Sequence, residues 1–79
     1  MTAIAAIQFE TPELREGASS SVMDSTRYCG SVARERHESG IGWTFRAMGP
    51  YGNATHGGFF SATDAALWLA GRNDFGQPI

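Results

Sequence analysis

HGGFFSATDAALWLAG, residues 56–71, decides the architecture. Ser61 suits an N-cap, and Asp64, three residues on, suits the positive end of a helix dipole. Ala62, Ala65, Ala66 and Leu69 then recur at helical spacing and make one apolar face, with Trp68 flanking it. Gly71 is a natural stop. Alanines on the buried side let such a helix lie close on a sheet, and Trp43 and Phe45 are the expected floor. The residues leading in, 54–60, predict a strand loosened by Gly57 and Gly58, where a bulge or a close backbone approach belongs.

Working back toward the N-terminus, IGWTFRAM (41–48) has the clearest period of two in the chain. Ile41, Trp43, Phe45 and Ala47 share one face, and Gly42, Thr44, Arg46 and Met48 the other, as in a half-buried strand. GPYGN (49–53) is turn chemistry, as is His37-Glu38-Ser39-Gly40. TRYCGSVARER (26–36) alternates with Tyr28, Gly30 and Val32 on one side. These segments predict an α+β fold: a three-stranded antiparallel meander with a C-terminal helix packed on one face. An N-terminal strand, a short helix or both would add to it. Residues 3–9 suit a strand with Ile7 and Phe9 on one face, although their alanines also favour helix. Thr11-Pro12-Glu13 suits a helix start. Residues 17–25, with three consecutive serines, suit a linker. The chain is then a single domain: an acidic segment (1–25), a sheet–helix core (26–71) and a tail (72–79).

Seventy-nine residues with nine aromatics support one small core. The single cysteine, Cys29, excludes an internal disulfide and fits a reducing cytoplasm. The first residues lack a basic leader and are too short an apolar run to span a bilayer. Net charge is −2, all six basic residues are arginine, and the charge is unevenly placed. Residues 1–25 carry Glu10, Glu13, Glu16 and Asp24 against Arg15, a net −3. Residues 26–79 carry five arginines against four acids, a net +1. That distribution disfavours unspecific binding to nucleic-acid phosphate.

No catalytic set emerges. Cys29 has neither His37 nor His56 in a nucleophile motif, and it suits a small packing residue. Two histidines and one cysteine without paired spacing make a poor zinc site. No glycine-rich phosphate loop precedes the helix. A non-enzymatic protein without cofactor or metal is expected. Recognition would fall to the arginines and to a few leftover apolar groups. Arg34 and Arg36 share a strand face and Arg46 lies on the face away from Trp43. Were they to converge, they would form a guanidinium patch for phosphate or carboxylate. Leu67 points away from the alanine face, one of Phe59 and Phe60 is expected outside, and His56 and Tyr51 lie at strand or turn ends.

Two resemblances bear on function. Tyr28-x-Gly30, Trp43, Arg46-Ala47, Gly58-x-Phe60 and Ala65-Ala66 fall where AP2-type and integrase arm-type DNA-binding modules would place them. Residues 28–71 therefore resemble those modules, and the resemblance implies a groove-reading sheet face with roles for Arg34, Arg36 and Arg46. The chain departs from them in lacking lysine, in its acidic front and in placing Trp43 on the apolar face. By size, charge and absence of chemistry, the chain also resembles the small phage-borne anti-CRISPR inhibitors. That likeness implies a non-enzymatic plug that occupies a protein surface on a host nucleoprotein complex such as a CRISPR effector. Glu10, Glu13, Glu16 and Asp24 would imitate nucleic-acid charge. Either a monomer or a homodimer through a sheet edge is compatible with this pattern.

Overall fold

The computed structural model describes residues 7–52 and 54–79. Its strands are β1 (Ile7–Gln8), β2 (Ser19–Asp24), β3 (Arg27–Arg36), β4 (Trp43–Met48) and β5 (His56–Phe59), followed by helix α1 (Ala62–Ala70). All neighbours pair antiparallel in the order β1-β2-β3-β4-β5, a simple meander. The fold is α+β with a C-terminal helix on one face, and the sheet has five strands rather than three.

The extra strands come from the N-terminal third. β2 occupies the serine run that reads as a linker, because Val22 is fully buried there and Ser20 shares its face. Serine has little strand preference of its own, so pairing with β3 and the burial of one valine override it. Thr11-Pro12-Glu13 forms no helix. The segment between β1 and β2 is irregular, and Pro12 is buried with its carbonyl accepting a hydrogen bond from Arg34 Nη2 at 3.1 Å. Of the strand expected over 3–9, Ile7–Gln8 is present, and residues 3–6 lie outside the described residues.

Three further expectations are corrected by the sheet. Tyr28 does not share a face with Gly30 and Val32, because the β2–β3 register shifts between Val22 and Met23. Val22 pairs Gly30, Met23 pairs Tyr28, and the extra residue, Cys29, turns into the core while Tyr28 turns out. Such a bulge reverses alternation on one strand only. Ile41 lies in the β3–β4 turn, before β4 begins, and is 83% exposed. Trp43 is not the floor of the helix: it is half-buried at the first position of β4, outside the core cluster.

That core joins Val22, Cys29, Val32, Phe45 and Ala47 of the sheet to Ala62, Ala65, Ala66 and Leu69 of α1. The helix face is the one its spacing predicts. Ser61 Oγ accepts the Asp64 backbone N–H at 3.0 Å, as an N-cap should. Gly71 follows the last helical residue with φ −84°, so the helix ends without a left-handed cap. The chain beyond it is folded back rather than trailing. Asn73 N–H donates to the Gln77 carbonyl and Ile79 N–H to Gly71, while Arg27 reaches the Ala70 carbonyl and Asp74.

Gly30 is the residue on which the bulge depends. Its φ is +125°, and a Cβ there would stand 2.0 Å from the Met48 carbonyl oxygen. Gly40, at φ +83°, has open space around it. Gly30→Ala is therefore expected to cost about 3 kcal/mol or more, combining backbone strain with a clash against backbone. Gly40→Ala carries only the conformational part, about 1 kcal/mol. Urea midpoints for the two variants measure the difference.

Candidate recognition surface

The β3–β4 register sorts the side chains. Val32 pairs Ala47, Arg34 pairs Phe45 and Arg36 pairs Trp43, all on the helix side. Ala33 pairs Arg46 and Glu35 pairs Thr44 on the open side. Arg34 and Arg46 are thus on opposite faces, and of the three arginines only Arg36 and Arg46 meet, at the rim of one cleft. Arg46 Nε donates to Glu35 Oε1 at 3.1 Å on the open face. Arg34, expected at the surface, is 9% exposed.

At the end of the open face nearest the β3–β4 turn lies a cleft of about 460 Å³. Thr44, Gly57 and Gly58 line it together with the Arg46–Glu35 pair, Arg36, His37, Glu38 and Phe60. Gly57 leaves room for that ion pair: a Cβ would lie 3.2 Å from Glu35 Oε2 and 3.3 Å from the Arg46 guanidinium. Thr44, expected to be solvated, is buried beneath them.

His37 is fixed by its own turn. The Ser39 backbone N–H donates to Nδ1 at 3.1 Å, and Ser39 Oγ lies 2.9 Å from the same nitrogen. With Nδ1 accepting, the neutral ring carries its proton on Nε2. The imidazole stacks on Phe60 at 5.9 Å between centroids. Phe60 is 77% exposed and Ile41, in the same turn as His37, is more exposed still. The period of two over residues 41–48 places Ile41 in a strand, and sequence alone marks His37 only as a turn residue. The missed signal is Gly40-Ile41-Gly42, an isoleucine held between two glycines in a turn.

The remaining candidates are scattered. Glu10, Glu13 and Glu16 are exposed between β1 and β2, and Glu13 pairs Arg15 at 2.9 Å. Asp24 is half-buried at the far end of β2, paired with Ile7 and Arg27 in the ladder, so it does not join the three glutamates. Leu67 is half-buried on α1. His56, at the start of β5, stacks on Trp68 at 5.4 Å and meets Phe59 edge-on. Tyr51 is exposed with Phe75 beside it, 6.5 Å between centroids.

Among the described residues, no three His, Cys, Asp or Glu side chains gather closely enough to hold a metal ion, and no helix is long and apolar enough to cross a membrane. Cys29 is free and buried. Burial pushes its thiol up from the ordinary value, against the opposing pull of the Arg27 charge. Comparison with family models, with curated proteins and with solved structures gave no match.

A raised thiol keeps Cys29 protonated in the folded chain. Native protein at neutral pH is therefore expected to resist an aromatic disulfide reagent, and urea-unfolded protein to react at the rate of a free thiol. The same shift has a signed effect on stability. Its contribution is complete below the unfolded value near 9.0 and is lost as pH rises through the higher folded value. Cys29→Ala should flatten that alkaline decline in urea midpoints.

Proposed function

We propose that this chain is a non-enzymatic binding protein that acts by covering a surface of a protein partner. The observation that carries the proposal is the exposure of two large apolar side chains: Phe60, which lines a polar cleft at one end of the sheet, and Ile41, in the turn that also carries the cleft residue His37. Exposed large apolar groups next to an arginine and a fixed imidazole have the composition of an interface centre. Both residues are outside the core, so stability does not account for them.

The finer part of the proposal is inhibition of a host nucleoprotein complex, in the manner of anti-CRISPR proteins. It is supported by the exposed glutamates between β1 and β2, where Glu13 is paired with Arg15 and Glu10 and Glu16 offer negative charge to a basic groove. Direct DNA binding has less support. Arg46 is neutralised by Glu35, Arg34 is buried, and the two occupy opposite faces of the sheet.

Ile41→Ser combined with Phe60→Ser is expected to change folding stability by less than about 0.5 kcal/mol per site. The pair should lower the yield of a captured host protein at least tenfold, measured by affinity capture and mass spectrometry. Undiminished capture would overturn the proposed surface. Replacing Glu10, Glu13 and Glu16 by Gln tests the charge component separately. Its expected signature is a weaker complex whose salt dependence is also reduced. Unchanged affinity and salt slope would leave surface covering in place and remove charge imitation.

A further inference from the structure

Arg34 and Arg36 stand on the same face of β3, two residues or roughly 6.5 Å apart along the strand. Both guanidinium groups address Trp43, with Arg36 at 4.3 Å from the ring centroid and Arg34 at 5.5 Å. Arg34 also lies 5.0 Å from the Phe45 centroid. Neither arginine has a carboxylate within ion-pair distance among the described residues, whereas Arg15, Arg27 and Arg46 each do. Arg34 is nine-tenths buried, gives one side-chain hydrogen bond, to the Pro12 carbonyl, and leaves Nε buried with no partner. A buried charge without a counter-charge is costly, and so is an unmatched donor on it. With the exposed Arg36 over the same indole, the buried Arg34 belongs to a cationic cluster that has no anion among the described residues.

We infer that Arg34, Arg36 and Trp43 form a binding site for a single carboxylate carried by a protein partner. The planar guanidinium groups suit it, because each stacks on an aromatic ring and keeps in-plane donors for oxygen. A carboxylate is favoured over a nucleic-acid backbone by what surrounds the cluster. The segment carrying Glu10, Glu13 and Glu16 is fastened to Arg34 through Pro12, Gly17 and Ala18. Those acids repel a chain charged at every nucleotide and tolerate one acid flanked by basic residues. The site uses neither Ile41 nor Phe60 but shares Arg36 with the cleft that Phe60 lines, so Arg34 and Trp43 are the residues that tell the two apart.

The test is an NMR titration of the full chain, read on the Nε–H signals of Arg34, Arg36 and Arg72 and on both indole N–H signals. Arg72 is the internal control: it also stacks on a tryptophan, Trp68, at 4.5 Å, but Nη1 is bonded to the Gly76 carbonyl. Acetyl-Lys-Glu-Lys-amide is expected to shift the Arg34, Arg36 and Trp43 signals saturably and to leave Arg72 and Trp68 in place. Acetyl-Lys-Gln-Lys-amide should bind about tenfold more weakly, as a lost charge-assisted bond implies. Arg36→Gln, at an exposed position that spares the fold, should weaken the glutamate peptide similarly. Inorganic phosphate and oligothymidine are the competing probes. Equal binding of the two peptides, equal shifts at Arg72, or tighter binding of oligothymidine than of the glutamate peptide would overturn the assignment.

Discussion

The close seat of an alanine-faced helix on the sheet sets the terms for everything else in this molecule. Ala62, Ala65 and Ala66 bring α1 down onto Val22, Val32, Phe45 and Ala47, and among these side chains only valines are both large and completely buried. A core so thin leaves no space for an indole between its layers. Both tryptophans are accordingly at the margin, each half-buried and each with a guanidinium over its ring, Arg36 on Trp43 and Arg72 on Trp68. In a chain of this size, where the buried fraction of surface is modest, such lids extend the apolar interior outward.

That arrangement gives the all-arginine composition a structural use. Arg27 ties the C-terminal segment to the end of α1, Arg34 fastens the irregular segment before β2, and Arg46 lies with Glu35 over Gly57. At Arg34 and Arg72, each of which lies over an aromatic ring and holds a backbone carbonyl, a lysine ammonium could supply the charge but could not stack flat on the ring while keeping in-plane hydrogen bonds. Most of the cations therefore serve the fold. Ile41, Phe60 and the glutamates before β2 are exposed and lie outside the core, and with Arg34 and Arg36 they outline the proposed recognition surfaces.

The helix was legible because its information is local: an N-cap, an acid three residues later and an apolar stripe all lie within eleven residues. β4 was legible from Trp43 onward for the same reason. β2 was not, since three serines carry no strand signal and Val22 alone marks the buried face. Nor was the bulge, because Gly30 reads equally as a weak strand residue. Its meaning comes from the Met48 carbonyl, eighteen positions away in sequence and in contact only after β3 and β4 pair. Of the candidate site, the exposure of one of the two adjacent phenylalanines was foreseeable from strand alternation. The cleft beside it was not, because its walls come from β3, β4, the intervening turn and β5.

By itself the sequence determined the class of fold, the helix and its buried face, and the uneven distribution of charge. These follow from spacing, capping and composition, which are properties of neighbouring residues. Tertiary structure alone decided that the sheet has five strands, that Arg34 is buried while Arg46 is paired on the opposite face, and that Ile41 stands out in solvent. Each of those outcomes depends on strand register, and a shift of one residue moves a side chain from one face of a sheet to the other.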